Sequence, residues 1–271
     1  MMMGSGARTD PYIVDNWFSF MTIDTTDPNI YVKWLDSAKP IIDFNDINPE
    51  GFSSTIKFPA NVNFNGWTLR NFHSTASDAI GYNASPGKIK NLILENFYVT
   101  SETLFYGTYM LENCVISGLL QAGGNNVYVF YGAGLERCSL NIKATARMFN
   151  LASGSSFLSP KTQIINSDVI LNISCSNVTT ICDNMIKNSR ISGKIQTPAS
   201  SIMLGNFYSS SNVFNIESNC SLKYTGNGVS VFNSDIATKS DDSNKNFVGC
   251  TAEQLKNSGY LYSLGFPIGV D

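Results

Sequence analysis

Apolar residues along this chain come in short runs, not at helical spacing. "TLFYG" from Thr103, "VYVFYG" from Val127, "TTICDNM" from Thr179 and "SIMLGNF" from Ser201 are typical. Each is rich in β-branched and aromatic residues and bounded by Gly, Ser, Asn or Asp, which predicts strands separated by tight turns. A second run alternates with the first: "LRNFHS" from Leu69, "LENFYV" from Leu94, "LENCVI" from Leu111 and "LERCSL" from Leu135 share the frame apolar, any, Asn, small or aromatic, any, aliphatic. "IINSDV" from Ile164, "IKNSRI" from Ile186, "YSSSNV" from Tyr208 and "VFNSDI" from Val231 extend it.

Aligned on the third position, these copies read Asn71, Asn96, Asn113, Arg137, Asn166, Asn188, Ser210 and Asn233. Their spacings are 25, 17, 24, 29, 22, 22 and 23 residues. A period in this range, with about two strands per repeat, predicts a solenoid in which each coil stacks on the last. The long Leu frame of leucine-rich repeats is missing, which favours a single-stranded parallel β-helix of roughly 22–25-residue coils, an all-β fold. Asn tolerates the left-handed conformation of a sharp bend. Stacked coil on coil, the Asn amides would form a ladder, broken at Arg137 and Ser210. The short and long spacings predict one trimmed coil and one coil with a loop at Ser153–Lys161.

This frame resembles the right-handed parallel β-helix proteins of the pectate-lyase-like superfamily, in which Asn ladders line one turn. The likeness covers roughly residues 60–240 and concerns architecture. Residues 1–9 are expected to be disordered or vector-derived. Residues 10–60 read as an N-terminal cap that includes a short amphipathic helix at "DNWFSFM"; residues 61–240 read as the β-helix; and residues 241–271 read as a C-terminal cap. There Thr251 is a plausible N-cap, with helical spacing at Leu255, Tyr260 and Leu264. The Trp-rich entry, "NPEG", the "NGW" lead-in and the "EQLK…GFPIG" ending resemble, in style and order, β-helical proteins encoded by bacteriophages of gut bacteria.

Composition narrows the functions. Only 14% of residues are charged and 43% are hydrophobic, so a sizeable core can form and the polar surface is made of Asn, Ser and Thr. The net charge of −3 provides no basic field for nucleic acid. No run of 18 apolar residues suggests a membrane span, and "MMMGSGARTD" lacks the apolar core of a secretory signal. The six Cys include no C-x-x-C pair, and the chain has one His, His73. They read as small buried fillers, with no metal site expected. Cys114 and Cys138 share a repeat position, where a bridge between adjacent rungs is sterically allowed.

Candidate chemistry rests on carboxylates. Glu95, Glu112 and Glu136 precede the third repeat position in three successive copies. In register they would form a row at about 4.8 Å per coil, able to bind Ca²⁺ or to supply the acid and base of a glycosidase. The alternative is a solvated column paired with nearby Arg and Lys, and this is the preferred reading: no catalytic residues and no cofactor. Tyr98, Tyr106, Tyr128 and Tyr131 form the candidate binding surface for sugar rings or another subunit. Through the resemblance, the expected function is a structural or host-attachment component of a bacteriophage particle (tail, baseplate or head fibre). It would be made in the bacterial cytoplasm and built into the virion. Its partners would be other virion proteins or itself, as a homotrimer, with a host surface glycan as a further partner. The competing expectation is a tailspike-like polysaccharide hydrolase or lyase using the Glu row.

Overall fold

A computed structural model describes residues 3–36, 40–81, 87–107, 109–122, 124–154, 162–177, 179–205, 209–241 and 244–266. The chain is an all-β parallel solenoid of about 8 turns with about 24 residues per turn. Each full coil contributes one strand to each of three sheets. One coil runs through 87–90 in sheet I, 93–99 in sheet II and 103–106 in sheet III, and re-enters sheet I at 109–112. Sheets I and III hold eight strands each and sheet II holds eleven.

Register follows from like stacking on like. Inside sheet I, Val32, Val62, Ile89, Leu111, Leu135, Ile164 and Ile186 are successive register partners, each at most 2% exposed. The pairing is in register because a slip of one residue would turn every aliphatic to solvent. Sheet II has the long strands, such as 139–146 and 168–175, whose residues alternate exposed and buried.

From the coil of Asn65 onward, the described bends from sheet I to sheet II are made by a left-handed residue. Asn65, Asn91, Asn113, Arg137, Asn166, Asn188 and Ser211 fill this position, with φ between 49° and 57°. This corrects the sequence alignment at four places. Asn71 and Asn96 are also left-handed (φ 59° and 52°), but they lie within sheet II. There Leu94 pairs with Ile116 and Phe97 with Gly118, so Glu95 and Asn96 together face one residue, a β-bulge. The 17-residue spacing is therefore no trimmed coil; it is the distance from a bulge Asn to a bend Asn. At the other end the bend residue is Ser211, not Ser210, and Asn233 closes the sheet II strand 230–233. Gly118 is needed opposite the bulge, since a Cβ there would lie 2.4 Å from the Phe97 carbonyl oxygen. In the long coil, residues 155–161 of the expected loop lie outside the described residues.

Behind the bend runs a buried polar ladder. The backbone N–H of Cys138 donates to Ser167 Oγ (3.1 Å), that of Ser167 to Ser189 Oγ (3.2 Å), that of Ser189 to Asn212 Oδ1 (3.1 Å) and that of Asn212 to Ser230 Oγ (3.2 Å). Each acceptor is at most 4% exposed. Ser167 and Ser189 return their hydroxyl protons to the carbonyl two residues back, and Cys114 and Cys138 make the same bond through sulfur at 3.4 Å. These two cysteines are the thiol continuation of a serine column, and both are free thiols, as are the other four. Burial pushes the Cys114 thiol up, and the Cys182 thiol to about 12, so neither forms the reactive thiolate at neutral pH.

Both ends of the stack are built on by short segments. Residues 3–10 fold back on the first strands: Met3 and Ile13 exchange backbone hydrogen bonds, and Tyr31 N donates to Gly6 O at 2.9 Å. Parallel pairing begins at Tyr12–Val14, inside the segment expected only to cap. The cap itself is an aromatic plug. Asn16 caps the helix 17–21, which places Trp17 edge-on to Phe44 at 4.9 Å and Phe20 against Phe58 at 5.4 Å. At the far end sheet II continues to 247–250, past residue 240. Thr251 forms a capping box with Gln254 on the helix 252–255. A second helix, 258–263, buries Leu261, which joins Phe266 on Val213, Val231 and Cys250.

The ladder gives a stability test. Ser189→Ala strands the Ser167 N–H in the core and is expected to cost about 1–3 kcal/mol. The exposed Ser139→Ala should stay within about 0.5 kcal/mol. Urea denaturation midpoints of the two variants check this, and equal midpoints would remove the ladder's role.

Candidate functional site

The three glutamates of the expected row do not share a column. Glu95 lies in sheet II, paired in register with Arg70, and Arg70 Nε and Nη2 donate to its Oε2 at 3.2 and 3.0 Å. Glu112 and Glu136 are register neighbours in sheet I. Their column reads Lys33, Asn63, Lys90, Glu112, Glu136, Ile165, Lys187.

Within that column the acids are neutralised one by one. The Glu112 side chain is 6% exposed, and both oxygens are occupied: Lys88 Nζ donates to Oε1 at 2.5 Å and Lys90 Nζ lies 2.8 Å from Oε2. Burial alone would raise its pKa, yet the bonds and charges of Lys88 and Lys90 outweigh burial and hold it below the ordinary glutamate value. Glu136 is held by Arg137 Nη1 at 2.5 Å. Arg137 Nε also donates to Asn113 Oδ1 at 3.0 Å, so an arginine continues the side-chain ladder where a break was expected. The expected repulsion within the row is thus offset by Lys90 in register, Lys88 in the neighbouring column and Arg137 next in sequence, and a Ca²⁺ ion at Glu112 would have to displace two ammonium groups. Among the described residues no set of three His, Cys, Asp or Glu side chains could hold a metal.

The side-chain ladder occurs in pieces. Asn96 Nδ2 donates to Asn71 Oδ1 at 2.6 Å, and Asn71 Nδ2 to Asp43 Oδ1 at 2.8 Å. Asn91 Nδ2 donates to Asn63 Oδ1, and Asn233 Nδ2 to Asn215 Oδ1, both at 2.8 Å. Asn166 and Asn188 hold the bend through their backbone conformation.

The tyrosines divide between two faces. Tyr98 lies on sheet II against His73, with ring centroids 5.1 Å apart. Tyr106, Tyr128 and Tyr131 lie on sheet III, where Tyr106 and Tyr131 stack at 5.4 Å and 5° and Tyr128 meets Tyr131 edge-on. Tyr106 is 43% and Tyr98 37% exposed, so solvent reaches the set on both faces, and the stacked pair offers the flat one on sheet III.

One feature escapes any reading of net charge. Beside Lys88 and Lys90, at the N-terminal end of sheet I, an outward groove of about 450 Å³ is lined by Arg8, Tyr31, Lys33, Asn61, Lys88 and Lys90. Its cations come from three sequence-distant segments that the stack brings into adjacent columns. The only signal in the sequence is the "KIK" alternation at Lys88–Lys90, which puts two ammonium groups on one side of a strand.

The fold and its stacked Asn bonds define the class: a parallel β-helix. No family model matches the chain, and neither a curated protein nor a solved structure matches it.

Glu112 makes stability depend on pH. Its folded pKa is depressed, so its contribution is present above the unfolded value and is lost as pH falls through the folded one, on the acid side of the ordinary glutamate range. Glu112→Gln should flatten the acid limb of the melting-temperature profile between about pH 5 and 3 while lowering stability at pH 7. An unchanged acid limb in the variant would show that the Lys88–Glu112–Lys90 cluster is not linked to folding.

Proposed function

We propose that this chain is a non-catalytic β-helical module, a structural or host-attachment part of a bacteriophage-type particle that presents a rigid surface to a glycan or a protein. The observation that carries the non-catalytic part is the state of the glutamates. Glu112 and Glu136 stand one rung apart, with their strands about 4.8 Å from each other, so this is the acid pair to compare with a glycosidase's two carboxyl groups. A general acid there needs a raised pKa and a free proton. Glu112 is instead shifted down with both oxygens held by lysines, Glu136 is paired with Arg137, and Glu95 faces another sheet.

The particle setting rests on the likeness of the end segments to phage β-helical proteins. The right-handed, pectate-lyase-like form of the coil rests on the strong preference of parallel crossovers for that hand and on the Asn frame. A homotrimer would fit a fibre or spike, and the stacked Tyr106–Tyr131 pair suits a sugar ring. The competing reading, a tailspike-like hydrolase or lyase, is favoured only by the Glu112–Glu136 adjacency.

One experiment separates the two. The protein is incubated with a panel of bacterial capsular and wall polysaccharides, with and without Ca²⁺, and product length is read alongside retention on the same glycans. Binding or particle association with no shortening is expected. Shortened chains, lost in Glu112→Gln or Glu136→Gln, would replace this proposal with the enzymatic one.

A further inference from the structure

The groove beside Lys88 has a donor and acceptor balance that its structural role does not explain. Asn63 Oδ1 already accepts from Asn65 N at 2.9 Å and from Asn91 Nδ2 at 2.8 Å. Asn61 Nδ2 donates to the Pro28 and Ile30 carbonyls, both at 3.2 Å. Lys88 and Lys90 share Glu112. Among the described residues no carboxylate lies within ion-pair distance of Arg8 or Lys33. Four cations therefore meet one carboxylate, in a chain whose net charge is −3. Among the described residues no hydrogen bond or ion pair engages the Arg8 guanidinium, the Lys33 ammonium or the Tyr31 hydroxyl, and against these stands one free side-chain acceptor, Asn61 Oδ1. A partner must be rich in acceptors and negatively charged.

The geometry also limits the partner's size. Lys33 and Lys90 belong to one column with Asn63 between them, which separates their strands by about 9–10 Å. Tyr31, Asn61 and Lys88 form the parallel column beside them. Arg8 overhangs from the N-terminal segment, which is pinned by the Met3–Ile13 and Gly6–Tyr31 backbone bonds. Gly6 permits that fold-back, with φ at 81° and the Tyr12 ring 2.6 Å from where a Cβ would stand. Past Lys90 the column turns to Glu112 and Glu136; past Lys33 its next residue is Ile13. A long polyanion laid along the helix would run onto carboxylates, whereas a compact anion would not. A volume of about 450 Å³ lies in the range of small-molecule sites.

We propose that this groove binds a compact oxyanion, a phosphate or sulfate group, either free or as the ester end-group of a small sugar. Arg8 supplies the planar fork that matches two oxyanion oxygens. Lys33, Lys88 and Lys90 supply point charges from the sheet, and Glu112 keeps Lys88 and Lys90 from repelling each other when the site is empty. The site does not depend on the attachment reading above; it would serve a scaffold or an enzyme equally.

The test is calorimetric titration of the full chain with inorganic phosphate, inorganic sulfate, a hexose monophosphate and a long polyuronate. Saturable phosphate or sulfate binding that weakens steeply between 20 and about 200 mM salt is expected. Arg8→Gln with Lys33→Gln should weaken it at least tenfold, and Lys33→Glu should abolish it, with circular dichroism and melting temperature unchanged because neither residue is in the core. Tighter binding of the hexose monophosphate assigns an ester end-group as the natural source; equal or weaker binding assigns the free anion. The proposal is overturned if neither inorganic anion nor the ester saturates, if binding survives the double substitution, or if the polyuronate binds more tightly per charge through the same residues. The salt dependence of the unsubstituted protein keeps the test decisive should a variant misfold.

Discussion

The structure depends on what happens to one buried backbone N–H per coil. A parallel β-helix must turn sharply between sheet I and sheet II, and a left-handed residue makes that turn. From Cys138 on, the residue after it is buried, and its N–H faces a side chain of the next coil and not a sheet carbonyl. An unsatisfied N–H there costs free energy in every coil. From Cys138 to Ser230 the solution is the same: the side chain of the next rung accepts the bond. The small size of Ser, Cys and Asn is needed for this, since the acceptor must fit under the bend among stacked aliphatics. Each rung is thereby fixed in register by its neighbour, and with it every outward column.

Once register is fixed, surface chemistry becomes a matter of columns about 4.8 Å apart. Like charges at that spacing repel, and each acid in sheet I has a base in or beside its column. Lys90 stacks on Glu112, Lys88 reaches across from the parallel column, and Arg137 bends back onto Glu136. A low overall charge leaves few such groups, so where they occur they pair. The exception is the N-terminal end of sheet I, where Arg8 and Lys33 have no counter-charge among the described residues.

Much of the fold was legible in the sequence because stacking writes itself as repetition. The "LENCVI" and "LERCSL" pair marks two adjacent rungs in true register, with Glu112 on Glu136 and Leu111 on Leu135. The short helix at "DNWFSFM" and the N-cap at Thr251 were legible too, from local spacing and capping chemistry. The register of the first copies was not. "LRNF" and "LENF" carry a left-handed Asn after two residues of strand, as the true bends do, but their Asn makes a bulge within sheet II. Local sequence encodes the backbone conformation of Asn71 and Asn96, whereas which sheet they occupy is set by how their flanking residues pair a coil away, Arg70 with Glu95 and Phe97 with Gly118. The misplacement of Glu95 follows from the same ambiguity, and with it the expectation of a three-acid row.

The basic groove was hidden for a different reason. Arg8, Lys33 and Lys88 are 25 and 55 residues apart in sequence, in segments that read as a tail, a cap and a first coil. Only the fold-back of residues 3–10 and the pairing of 31–34, 61–63 and 87–90 bring them together. Glu112 bears on why the two pairs of cations differ. Lys88 and Lys90 lie on one strand with alternate side chains on the same side, so they would repel without the carboxylate held between them. Arg8 and Lys33 lie on different segments, separated from Lys88 and Lys90 by the neutral rung of Asn61 and Asn63. That spacing lowers their mutual repulsion enough to leave them uncompensated in the folded protein. A charge that folding does not require to be neutralised is one that a ligand can neutralise.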